Sequence, residues 1–244
     1  MNKSPEEVLA NYETFLGLID KHISEPRKSK LVEFYNTYAT RISTMPASSK
    51  EHHHNAFPGG YVDHVIRVVN IALNLKEVWA SFDADDNYTT EELVFAALNH
   101  DLGKMGTAEH EMYQPNDSEW HRKNQGAIYK MNTEPDFMPI QDRSLYLLQQ
   151  HNIPVTINEW IAIKSHDGLY DDANKAYFIS YDPGSKMKTH LPILLHHADM
   201  AAARIEYETW ARTKVGAKQP TKRENPLAEK ANAEELKNIF GNLF

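Results

Sequence analysis

The run Leu93-Val94-Phe95-Ala96-Ala97-Leu98-Asn99-His100-Asp101-Leu102-Gly103-Lys104 decides how this chain is read. An apolar helix closes on a histidine and an aspartate, and a glycine and a lysine follow at once. Leu93, Ala96, Ala97 and His100 share one helical face, so His100 is aimed inward and Asp101 lies at the terminus beside it. Burying a carboxylate costs several kcal/mol unless a partner or a metal satisfies it. Gly103 is placed to take the left-handed conformation that ends a helix, and Lys104 to neutralise an anion bound at the pair. Thr89 and Glu92 form the capping box that starts this helix. A single His-Asp pair could equally be a helix end fraying into solvent; the weight comes from the rest of the chain.

Similar signals recur on both sides. After Gly59-Gly60 a long helix carries Tyr61, His64, Val65, Val68, Ile71, Ala72, Leu75 and Trp79 along one side, which puts His64 on a buried stripe. Thr156-Ile157-Asn158-Glu159 is another capping box, opening a helix that ends at Ser165-His166-Asp167-Gly168. From Leu191 a further helix runs through Leu194, Leu195, Ala198, Ala202, Ile205 and Trp210, with Asp199 among alanines that imply close packing. An aspartate there needs a partner.

The remaining segments read as scaffold or loop. Ser4-Pro5-Glu6-Glu7 starts a helix whose Val8, Tyr12, Phe15 and Ile19 face inward, and Leu31, Phe34, Tyr35, Tyr38 and Ile42 make a second one. Residues 45–60 are loop-like and include His52, His53 and His54. Asp83 to Asn87 resembles half a calcium loop, but Tyr88 and Val94 stand where the turn glycine and bidentate glutamate belong, so calcium is rejected. Residues 109–124 are polar and hold His110 and His121. A helix from Ser144 to His151 cannot extend past Pro154, and residues 171–190 read as a surface excursion that could serve as a lid. The division expected is a helical scaffold over 1–50, a core over 51–212, and a linker with a short helix and apolar tail over 213–244.

Composition narrows the class. Of 244 residues, 41% are hydrophobic and 25% charged, as in a packed globular domain. A net charge of −8 argues against a protein that coats nucleic acid through a broad basic surface. With no cysteine, disulfides and thiolate metal sites are excluded. No apolar run approaches the ~20 residues of a membrane helix, and the N-terminus lacks a secretory pattern, so a cytoplasmic location without a membrane partner is expected. Thirteen histidines are available, and imidazole suits transition metals.

Together His64, His100, Asp101, His121, His166 and Asp199 are an inventory for two divalent transition-metal ions, with Asp101 able to bridge them. Their order on helices resembles the HD superfamily of metal-dependent phosphohydrolases, over about residues 59–207. The resemblance implies an all-α helical bundle around a metal centre. Within the superfamily, residues 53–64 are similar to the His-His, Gly-Gly, His stretch of HD-type exoribonucleases, and His166-Asp167-Gly168 to their Ser-His-His-Gly, with Asp167 replacing a histidine. No OB-fold module precedes the region, so small phage and bacterial HD proteins acting on nucleotides are the better functional match. The resemblance implies phosphohydrolysis of a nucleotide or short oligonucleotide by a metal-activated hydroxide. Asp101 and Lys104 would be catalytic, and His53, His54, Lys104, Asp167 and Arg204 would face the substrate. The metals could be iron, manganese, cobalt or nickel.

Alternatives stay open. His151 could replace His166, and His196 shares the face of Asp199. HD proteins similar to myo-inositol oxygenase carry the same ligand set with a mixed-valence di-iron pair. A non-catalytic module is a third reading, its apolar tail Ile239 to Phe244 bound to a protein partner.

Overall fold

The computed structural model describes residues 3–85, 87–180 and 182–215. The chain divides into a compact unit Met1–Ala211 and a second unit Arg212–Phe244. Among the described residues the regular elements are ten α-helices, three short 3₁₀ turns and one two-stranded ribbon, so the fold is all-α.

Helix α1 (Pro5–His22) begins as the sequence requires: the Ser4 hydroxyl accepts from the Glu7 amide and the Glu7 carboxylate accepts from the Ser4 amide. It buries Tyr12, Phe15 and Ile19. The second expected helix is two, α2 (Arg27–Thr37) and α3 (Ala39–Thr44), because Tyr38 leaves helical geometry at φ −109° and ψ 20°. After a loop holding the three histidines, Gly59 at φ +81° opens α4 (Gly60–Ala80).

Helix α5 (Thr90–Asn99) is the axis of the core. Every residue from Leu93 to Asn99 is buried, as expected for a helix that is apolar all round. It packs against α1, α4 and, further along the chain, α8 (Ile157–Ser165). Before α8 come an antiparallel ribbon, β1 (Tyr113–Pro115) and β2 (Tyr129–Met131), with α6 (Glu119–Gln125) between its strands, and then α7 (Ile140–Gln150). The ribbon was not foreseen in the sequence, where residues 109–124 read only as polar. Helix α7 begins at Ile140, earlier than the expected Ser144, with Pro139 as its cap. The excursion over 171–190 contains a 3₁₀ turn Asp172–Asn174 and α9 (Lys175–Phe178). Helix α10 (Leu191–Val215) closes the described chain. It takes in the first residues of the expected linker; the rest of that linker, the short helix and Ile239 to Phe244 lie outside the described residues.

The amino ends of α5 and α8 are bolted together. Arg27 grips the fully buried Glu159 at 2.7 Å and Glu91 at 2.5 Å, and its guanidinium lies 4.2 Å from the centre of the Phe95 ring. Thr156 adds a hydrogen bond of 2.8 Å to Glu92. This clamp sets the two helices side by side, and their carboxyl ends reach the same place.

Candidate metal centre

Helices α5 and α8 both stop on a histidine. His100 and His166 cap them with φ/ψ still helical, and each donates its Nδ1–H to a carbonyl of its own last turn, Ala97 O or Ile163 O, at 2.8 Å. Carbonyls at a helix end have no partner within the helix, so the ring satisfies one of them. That bond also fixes the tautomer and leaves Nε2 bare. His64, in the first turns of α4, reaches the same result by another route: its Nδ1 donates to the Glu206 carboxylate of α10 at 3.1 Å. Glu206 in turn accepts from Arg67 at 2.6 Å.

The three Nε2 atoms converge on two carboxylates. His64 Nε2 lies 3.1 Å from Asp199 Oδ1 and 3.7 Å from Asp101 Oδ2. His100 Nε2 is 3.5 Å from Asp101 Oδ2 and 3.8 Å from Asp199 Oδ1, and His166 Nε2 is 3.7 Å from Asp101 Oδ1. Neighbouring donors bound to one ion at ~2.1 Å stand about 3 Å apart, so these spacings are near those of a ligand set. The buried Nε2 of His100 makes no hydrogen bond, and the buried Nε2 of His64 faces only a carboxylate, Asp199. A bare ring nitrogen is rare in a native interior and calls for a donor or an ion. Three groups could each hold an ion: His54, His64 and Asp101; His64, His100 and Asp199; and His100, Asp101 and His166. An all-nitrogen-and-oxygen set of this kind fits divalent transition metals.

Electrostatics keep the carboxylates charged. Burial works against the Asp101 anion, yet Lys104 at 2.5 Å and the neighbouring His100 hold its pKa well below the usual range. Asp199, also disfavoured by burial, is held down by His64. Burial would lower the pKa of His64, but Glu206 and Asp199 outweigh it and push the value up to about 10. His54 is held well below its ordinary value, by burial first and Lys104 second, and so presents a neutral ring. Lys104 stays cationic because Asp101 more than offsets its burial.

Two expectations are corrected. His121 is not among the clustered residues: it sits exposed on α6, a helix with no buried residue, and its Nδ1 is 2.6 Å from the capping Ser118 hydroxyl. His54 borders the open cleft and also stands within ligating reach of His64 and Asp101, with Nε2 3.4 Å from Lys104. Gly103 does not adopt a left-handed conformation. It lies inside the 3₁₀ turn Leu102–Met105, and a Cβ there would fall 2.1 Å from the Ile140 carbonyl, so the glycine serves close packing on α7.

The other sequence-derived residues fall into two places. His53, His54, Asp167 and Arg204 line one cleft of about 410 Å³, which Asp199 also borders. His196 lines it too, with Nδ1 2.9 Å from the His166 carbonyl. His151 is remote from the cluster and packs edge-on against Phe34 and Tyr38. Glu206 and Arg67 were missed by sequence reasoning. Their signal was spacing: Arg67 follows His64 by three and Glu206 follows Asp199 by seven, which keeps each on its ligand's helix face.

Fold and site thus define an all-helical protein with a buried histidine–carboxylate cluster suited to divalent ions. A family model described as "TraI_2: Putative helicase" matches residues 2–130, more than half of the chain, and the chain belongs to that family. The matched region takes in His54, His64, His100, Asp101 and Lys104, while His166, Asp199 and Glu206 lie beyond it. No curated protein and no solved structure matches the chain. Among the described residues, no helix is long and apolar enough to cross a membrane.

Proposed function

We propose that this protein is a divalent-metal-dependent phosphohydrolase of the HD superfamily that acts on a nucleotide or short phosphodiester. The observation that carries the reading is the convergence of the buried Nε2 atoms of His64, His100 and His166 on Asp101 and Asp199. His64, His100, Asp101, His166 and Asp199 would hold the metal, with His54 in the place expected for His121. Two ions fit the proposal because Asp101 belongs to two of the overlapping groups and offers an oxygen to each side. When bound, such ions supply Lewis acidity toward water and toward a phosphoryl oxygen.

The chain's own groups do the remaining work. Glu206 keeps the Nδ1 proton on His64 and so presents Nε2 to the site. Lys104 carries a fixed positive charge beside Asp101, able to offset negative charge that develops on a phosphate. His53 and Arg204, on the open cleft, supply donors for a phosphate arriving from solvent, and Tyr170 and Tyr207 offer rings for a base.

The helicase description attached to the family points to nucleic-acid chemistry, which this reading accommodates through a phosphodiester substrate. The chain's single Gly-Lys pair, Gly103-Lys104, lacks the phosphate-loop context: Leu98 stands where the first glycine would be and Met105 where Ser or Thr would be. Elemental analysis of the purified protein, followed by nucleotide and bis(p-nitrophenyl) phosphate hydrolysis with manganese, iron, cobalt and nickel, tests the proposal. Metal-dependent release of phosphate from a nucleotide, or of p-nitrophenolate from the diester, that is indifferent to oxygen supports it. Turnover only in oxygen, with a mixed-valence iron resonance signal, would replace it with the oxygenase reading.

A further inference from the structure

A second cavity, of about 760 Å³, lies under the strap of residues 132–139 and outside the candidate metal centre. Its walls are Met112, Met131, Phe137, Met138 and Ile140, and Arg143 of α7 also lines it. Arg143 is only 6% exposed. A guanidinium carries five N–H donors and stays charged inside a protein. Here the side chain makes two hydrogen bonds among the described residues, to the Gly103 and Asp136 carbonyls, both long at 3.4 Å, and no ion pair. Buried arginines ordinarily face a carboxylate or another dense set of acceptors.

The same end of α7 repeats the demand. Pro139 caps the helix with no side-chain hydrogen bond, and the amides of Ile140, Gln141 and Asp142 have no acceptor among the described residues. Helix amino ends favour negative charge, and a cation beside one strengthens that preference. Asp142 is already held by Lys164 at 2.5 Å and Glu134 by His110 at 3.0 Å. Asn132, Thr133 and Asp136 add polar edge to the strap, and the remaining lining is thioether, ring, proline and isoleucine surface, which accepts apolar shapes of varied outline.

We propose that this cavity binds a small amphipathic anion, its single oxyanion head on Arg143 and the α7 amino end and its apolar body among Met112, Met131 and Met138. The acidic side chains of Glu134 and Asp136 at the cavity exclude a polyanion, so the ligand carries one head group and a neutral tail. This rests on residues separate from the metal ligands and stands or falls without them.

Methyl-labelled methionine makes the test local, since the chain has eight methionines and three line the cavity. The full-length protein is titrated with octanoate, with octan-1-ol and with inorganic phosphate while the methionine methyl signals are followed. Octanoate is expected to shift Met112, Met131 and Met138 saturably and leave Met45 and Met200 in place. Octan-1-ol should bind about tenfold more weakly or worse, as the loss of one charged hydrogen-bonding head implies. Arg143→Gln should weaken octanoate to the level of the alcohol. Should that variant fold poorly, Met131→Glu, at a half-exposed position of the ribbon, places a repelling charge at the cavity and should weaken octanoate by about tenfold as well. Equal affinity for octanoate and octan-1-ol, or shifts confined to methionines outside the cavity, would overturn the proposal.

Discussion

Helices α5 and α8 are built alike and finish differently. Both open with a threonine–glutamate capping box, both are held at that end by Arg27, and both close with a histidine bound to its own last turn and followed by an aspartate. The two aspartates then part. The side chain of Asp101 is 6% exposed and paired with Lys104, whereas that of Asp167 is 46% exposed and lines the cleft. What separates them is the turn that follows. Leu102–Met105 packs onto α7 through Gly103 and Ser144, while Gly168, at φ +57°, turns the chain beneath His196. Identical helix signals therefore supply two buried imidazoles, and the turn chemistry leaves one carboxylate in the histidine cluster and the other on the open cleft.

The largest test removes what the helices share. Arg27→Ala leaves Glu159 buried and unpaired, and should cost about 3–5 kcal/mol of stability in denaturant unfolding. A loss below ~1 kcal/mol would show that the paired helix starts do not depend on the clamp. The next separates the ends: Asp101→Asn should lower phosphohydrolysis by about two to three orders of magnitude and reduce bound metal, whereas Asp167→Asn should keep its metal and lose about tenfold or less. Equal effects would erase the distinction drawn between the two turns.

Glu206→Gln sharpens it from the α4 side, where His64 depends on a carboxylate rather than on its own helix. Metal affinity, measured by competition with a chelating dye, is expected to fall about 10- to 100-fold. A pH series on the metal-free protein adds the charge on His64. Its folded value of about 10 exceeds the ordinary 6.5, so the stabilisation it contributes is complete below 6.5 and lost as the pH rises through about 10. The melting temperature of chelator-treated protein should fall across that window, and metal should bind more tightly at its upper end. A melting temperature constant across it would contradict the assignment. The smallest effect belongs to His121→Ala, expected to leave metal content and turnover unchanged because the ring faces solvent on α6.

Much of this was legible because helix ends write themselves into sequence. The boxes at Thr89 and Thr156, the inward face of His100 and the misplaced Asp199 follow from spacing alone. His121 lies between the clustered residues in sequence but on an exposed short helix in space, and the nearby ring is His54, from a loop with no periodicity to read. Glu206 was missed because a lone glutamate on a long helix looks like solvent-facing charge until Arg67 and His64 are seen across from it. Gly103 was assigned to backbone freedom when its role is clearance, a property that depends on α7 and is invisible locally.

One asymmetry bears on how the site is assembled during synthesis. His100 and His166 receive their tautomers from carbonyls three residues back, so each is readied by the folding of its own helix. His64 waits for a partner 142 positions downstream. A ribosome-bound chain that has not yet released α10 would thus expose two prepared ligands and one undecided one. On the proposed metal-binding reading, capture of an ion would be a late event, tied to arrival of the helix that brings Asp199 and Glu206 together.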